Sequence, residues 1–162
     1  MTNPPLPADS DPRIQRLYAY WLRVHPRSGG LPGRQHIDPV ELRDLLPWLW
    51  MVDVERGPLR FRYRLLGTEQ VRAMERDLTG RFLDEAHPSF VGSASYPQYV
   101  AAAERGQPGY RRGAPSFHLN KDYVALERLL LPLGRDGRNV DMLLAITVYF
   151  SPGEAGRDGV SG

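Results

Sequence analysis

Residues 48–66 read WLWMVDVERGPLRFRYRLL, and the reading of this stretch decides the fold. Trp48 to Glu55 is a short, mostly apolar run of strand length. Gly57-Pro58 turns the chain, and Leu59 to Leu66 returns with strict alternation. Phe61, Tyr63 and Leu65 are expected on one face, and Arg60, Arg62 and Arg64 on the other. Two such runs joined by so short a turn predict an antiparallel hairpin with one buried face.

On the C-terminal side, the middle of the chain changes period. Thr68 to Arg76 has helical spacing, with Thr68 expected as its cap, and Asp77-Leu78-Thr79-Gly80 reads as a turn. A further amphipathic helix is expected over about Ser93 to Arg105, closed by Gly106. Strand character then resumes. Gly109 to Leu119, broken by Gly113 and Pro115, reads as an edge strand, and Asp122 to Leu133 as a better one. Asn139 to Phe150 (NVDMLLAITVYF) is the most hydrophobic segment, which predicts a central strand covered on both faces.

On the N-terminal side, Asp11-Pro12 opens a helix, with Asp11 as N-cap. Its apolar stripe is Ile14, Leu17, Tyr18, Trp21 and Leu22. That stripe has two equally weighted outcomes, packing on its own sheet or serving as an interface to a second copy or a partner. Val40, Leu42, Leu45 and Leu46 suggest a short second helix ended by Pro47. Residues 1–10 read as a disordered leader, 11–150 as a single domain and 151–162 as a flexible tail. The expected class is α+β, with five antiparallel strands and the helices gathered in one insertion.

Composition narrows the function. The 162 residues are 41% hydrophobic and 25% charged, which are globular values. No apolar run approaches the length of a membrane-spanning helix, and the N-terminus lacks the pattern of a secretory signal. There is no cysteine, which removes disulfides, thiol nucleophiles and thiol-linked cofactors and suggests a cytoplasmic setting. Of 21 basic residues all but Lys121 are arginine, yet the net charge is only +2 and the acids are interleaved. Nucleic-acid binding is therefore disfavoured. The row Arg60, Arg62, Arg64 reads as a solvated strand face, because the aromatics lie opposite it.

The element order resembles the PAS fold, and particular motifs carry the likeness. Tyr20-Trp21, Asp38-Pro39 and Leu45-Leu46-Pro47 leading into Val52-Asp53-Val54 look like the opening of a PAS-like subgroup common in alphaproteobacteria. Arg62 to Thr68 (RYRLLGT), Asp77 to Gly80 (DLTG), and Leu129 to Leu133 followed by Asp136-Gly137 and Val140-Asp141 continue the match in order. The resemblance spans roughly residues 13 to 150. It implies a sheet that cups a small cavity under the helical insertion, used across the family for flavin, haem, small organic ligands or none. It also implies a stand-alone sensor or adaptor that signals through a separate protein or a homodimer, since the tail after residue 150 leaves no room for an effector module.

The resemblance selects no cofactor. Covalent flavin photochemistry and a thiol-linked chromophore both need the missing cysteine. Haem needs an axial ligand, and an ordinary partly exposed role outweighs ligation for His87 and His118. The candidates for the inside of the cup are Met51, Tyr63, Met74, Tyr96, Tyr99, Phe117, His118 and Tyr149, a set able to line a mainly apolar pocket with a few polar handles. No phosphate-loop, dinucleotide, hydrolase-elbow or zincin motif is present. The runner-up reading is a small enzyme of the same cup-shaped class that uses a cavity histidine or Asp141.

Overall fold

A computed structural model describes residues 6–117 and 123–155. It builds the chain around strand β5 (Met142–Phe150), which sits third in a five-stranded sheet. On one side of β5 lie β1 (Leu49–Glu55) and then β2 (Arg60–Leu66). On the other lie β4 (Ala125–Leu133) and then β3 (Gly109–Gly113) at the edge. Every pairing is antiparallel. The fold is α+β, as the alternating and continuous apolar runs predict.

The two faces of the sheet carry separate cores, which explains why β4 and β5 are buried at nearly every position and mostly apolar. One face presents Trp50, Val52, Phe61, Tyr63, Leu130, Leu143 and Ala145 to the helical insertion. That insertion comprises α2 (Thr68–Met74), α3 (Leu83–Ala86) and α4 (Tyr96–Arg105). We call this face the cup. The outer face presents Leu49, Met51, Leu129, Leu131, Leu144 and Ile146 to helix α1 (Pro12–Arg23).

Helix α1 begins where its sequence says it should. Asp11 caps it by accepting a hydrogen bond from the Arg13 amide at 2.9 Å, and Pro12 fills the first turn. Its stripe settles on its own sheet. Ile14 and Leu17 are fully buried, and the Trp21 indole donates to the Pro132 carbonyl at 3.0 Å. Of the interface candidates only Tyr18, half-buried, and Leu22, 42% exposed, remain accessible. Burying three such side chains contributes roughly 5–9 kcal/mol, so this face is not available to a partner without undocking the helix.

Several expectations need correction. Residues 6–10 are packed rather than disordered: Ser10 is buried, and Asp9 forms an ion pair with Arg112 at 3.2 Å. Residues 1–5 and 156–162 lie outside the described residues, and 152–155 form one helical turn, α5 (Pro152–Ala155). The segment from 39 to 45 is a series of turns followed by a 3-10 turn, Leu46–Trp48, which holds Pro47 inside it. Leu42 and Leu45 still bury their side chains there. Gly67, not Thr68, occupies the N-cap of α2.

The alternation in β2 also breaks. Val52 pairs with Tyr63 but Met51 pairs with Leu65, so Arg64 is an extra residue in a bulge. The bulge moves Leu66, opposite Trp50, onto the cup face and leaves Leu65 42% exposed. The three arginines do line the far side, each with an acidic neighbour. Arg60 chelates Asp84 and reaches Glu85, Arg62 meets Glu55 at 2.7 Å, and Arg64 lies 3.8 Å from Asp53. Arg60 and Arg62 also stack over the Phe82 ring, which ties the insertion back to the hairpin.

Candidate functional site

The cup is built by aromatic side chains sent from both layers. Phe61 and Tyr63 rise from β2 and Trp50 from β1. Phe90 and Tyr99 descend from the insertion, and Phe117 closes the set. Phe90 is the hub, with ring centroids 4.9 Å from Tyr99, 5.0 Å from Phe117, 5.3 Å from Tyr96 and 6.1 Å from Phe61. Edge-to-face contacts of this kind favour a filled interior over an open cavity.

At one rim of this aromatic layer His87, immediately after α3, meets Tyr63. The tyrosine hydroxyl and His87 Nε2 are hydrogen-bonded at 2.8 Å, and the same hydroxyl lies 3.8 Å from Met74 Sδ. The His87 ring packs against Phe117 at 5.3 Å. Burial pushes the imidazole down to about 4, with the nearby Arg76 charge acting the same way, so it is neutral at physiological pH. Burial likewise drives the Tyr63 phenol well above its ordinary range. A groove of about 210 Å³ opens beside His87, lined by Met74, Arg76, His87, Pro88, Ser89 and Phe117 among others.

A polar strip crosses the cup face at the other end of the sheet. The Trp50 indole donates to Thr147 Oγ1 at 2.9 Å, and the Gln70 amide donates to the Thr147 carbonyl at 2.9 Å. The Tyr149 hydroxyl donates to Gln70 Oε1 at 3.2 Å. Directly opposite Thr147 on β4 is Arg128, fully buried, with its guanidinium 5.2 Å from the Tyr99 ring centroid.

The sequence-predicted set therefore divides. Tyr63, Tyr99 and Phe117 meet in the cup, and Met74 and Tyr96 pack against it. Met51 belongs elsewhere: successive strand residues point to opposite faces, and with Trp50 inward Met51 falls on the α1 side beside Leu144. Tyr149 lies near the end of β5 and lines a second groove with Arg13, Trp48 and Tyr123. His118 lies outside the described residues. Asp141, the carboxylate singled out by sequence, is exposed just before β5 and accepts the Arg135 amide at 2.9 Å.

Phe90, Gln70, Thr147 and Arg128 escaped the sequence reading. Only Arg128 left a signal there, as a charge inside the apolar run of β4. Among the described residues no cluster of histidine and acidic side chains could hold a metal ion, and no helix is long and apolar enough to cross a membrane.

A family profile described as PAS domain matches residues 10–147. The chain belongs to the PAS domain family. A solved structure from a study of a flavin analogue in a light-oxygen-voltage domain superposes with a TM-score of 0.50 at 14% identity. That match covers 73% of this chain and 87% of the other, and it supports the fold. No curated protein matches the chain.

Proposed function

We propose that this PAS domain is a cytoplasmic sensor or adaptor that takes a small molecule at the rim of its cup and passes the effect to a separate protein. The observation that carries this reading is the groove beside His87, whose imidazole is hydrogen-bonded to the buried Tyr63 hydroxyl. Its walls are apolar at Met74, Leu78 and Phe117, and its floor offers one neutral imidazole already oriented by a tyrosine. A recess that joins apolar walls to a few polar groups, here His87 with Arg76 and Ser89, is the usual composition of a small-molecule site. At about 210 Å³ it suits a compact ligand. A flavin, the kind of molecule studied in the light-oxygen-voltage neighbour, would require the aromatic layer of Phe61, Phe90, Tyr99 and Phe117 to be displaced.

The partner contact, in this reading, uses the free edge of α1. Tyr18 and Leu22 flank a groove of about 490 Å³ shared with Leu31 and Pro108. In this reading the activity is binding rather than turnover: Asp141 is engaged at a turn away from the cup, and the cavity histidine, His87, acts as a ligand handle hydrogen-bonded to Tyr63.

An absorption spectrum and a native mass spectrum of freshly purified protein test the reading. A retained compound lost on His87→Phe substitution is expected. A protein that carries nothing, binds nothing from a metabolite library and has no partner would refute it.

A further inference from the structure

Arg128 and Arg111 are directly paired across β4 and β3, and both side chains lie on the cup face. Like charges in that relationship repel. Arg128 is 0% exposed. Its Nη2 reaches Gln98 Oε1 at 3.3 Å, and its guanidinium faces the Tyr99 ring. Its Nε and Nη1 have no hydrogen-bond partner, nor does the buried Nη1 of Arg111, nor the buried hydroxyl of Tyr99. No carboxylate forms an ion pair with either arginine among the described residues, although Arg112 next door has two, Asp9 and Glu127, on the outer face.

The imbalance has a definite chemical sign. Three of these four unmatched atoms are guanidinium donors, and the fourth is a hydroxyl. A buried lysine or carboxylic acid in such a place would discard its charge, but a guanidinium keeps its proton. The tyrosines that feel Arg128 do not supply the counter-charge. Burial raises the phenols of Tyr63, Tyr99 and Tyr149 above their ordinary value, Tyr99 to about 12, so all three are neutral at physiological pH. Burying an unpaired charge is strongly unfavourable, and chains retain one only where something compensates it.

We infer that Arg128, Arg111 and Tyr99 form a binding site for a small oxyanion, a carboxylate or phosphate group, supplied from outside the chain. Arg128 provides the buried, fixed charge. Arg111 is half-buried on the edge strand and forms the solvent-side member, past which the anion enters. Tyr99 adds a hydroxyl donor, and Gln98 holds the Arg128 fork in place while its own amide donates to the Tyr110 carbonyl at 2.7 Å. The site is separate from the groove over His87, with the Phe117 and Tyr99 rings between them. It does not depend on what that groove binds.

The test is a thermal-shift and calorimetric titration of the whole chain in Tris chloride at fixed ionic strength, with chloride replaced by acetate, benzoate or phosphate. At least one of these anions is expected to raise Tm by about 5–10 °C at a hundredfold excess over its Kd. Which of them does so separates carboxylate from phosphate as the source. Arg128→Met removes the response and, by deleting an unpaired buried charge, leaves the anion-free protein as stable or more so. Arg111→Gln, on the half-exposed member, weakens binding at least tenfold, whereas Arg64→Gln on the far face leaves it intact. The inference is overturned if no oxyanion acts beyond chloride. It is equally overturned if Arg128→Met and Arg111→Gln respond as the parent does, which marks surface binding only. A neutral ligand in the His87 groove alongside either result would leave the proposed function standing.

Discussion

The hydroxyl of Tyr63 and Nε2 of His87 lie 2.8 Å apart, one carried by the sheet and the other by the chain leaving α3. This bond joins the insertion to the sheet at the rim of the cup. The burial of His87 also makes folding sensitive to pH, because it holds the imidazole at about 4 while the unfolded chain titrates near its ordinary 6.5. Between those values the unfolded chain binds a proton that the folded chain refuses. Stability is therefore complete above about 6.5 and falls as pH drops toward 4, by on the order of 3 kcal/mol from this group. Urea denaturation across pH 4–7 should show that slope in the parent and a shallower one in His87→Gln. Superimposable profiles for the two proteins would exclude His87 as its source.

Thr147 is a second point of control, since its side chain accepts the Trp50 indole and its carbonyl accepts Gln70. Thr147→Val keeps the shape of the residue and its strand preference but strands a buried indole N–H. A loss of about 1–3 kcal/mol is expected, seen as a lower denaturant midpoint at an unchanged m-value. An unchanged midpoint would mean that the indole finds another acceptor.

Those two pairs also mark what sequence could and could not disclose. The sheet was legible because β2 alternates and β5 does not, a direct imprint of one covered face against two. The faces of β2 were legible only as far as Tyr63. The extra residue at Arg64 leaves no trace in the pattern, because Leu65 and Leu66 are both apolar and either one reads as inward. The face of Met51 is illegible for a related reason: in a run as apolar as LWMV, the pattern says that both faces are buried without saying which is which. The filling of the cup was illegible as well. Whether Tyr99 and Phe117 line a space or close it depends on where Phe90 sits, and Phe90 comes from a turn with no periodicity. Arg128 announced only its charge. Its solitude depends on Arg111 and Gln98, which arrive from β3 and α4.

Gly67 joins β2 to α2 where the chain runs against the 3-10 turn before β1. Its amide donates to the Leu49 carbonyl at 2.7 Å. Its φ of −66° is open to any residue, so the constraint is space alone. A Cβ there would lie 2.7 Å or less from the carbonyl oxygens of Leu46, Pro47 and Leu49, all backbone and none free to swing aside. Gly67→Ala should cost about 2 kcal/mol or more, with the loss of α2 packing visible as faster amide exchange over residues 68–74. An alanine variant of parent stability would show that the β1–β2 end of the sheet shifts easily.

The division of α1 into a docked and a free edge can be tested with two substitutions on one helix. Leu17 is fully buried against the outer face of the sheet, while Leu22 is 42% exposed. Leu17→Ala should cost about 2–5 kcal/mol by leaving a cavity under the helix, with the fold otherwise retained. Leu22→Glu should change stability by no more than about 0.5 kcal/mol, since the new carboxylate stays in water. If Tyr18 and Leu22 form the partner face, Leu22→Glu abolishes self-association or partner binding in analytical ultracentrifugation and leaves the denaturation curve unmoved. Leu17→Ala should do the reverse. If Leu22→Glu leaves assembly intact, the free edge of α1 is simply surface and the contact must be sought elsewhere.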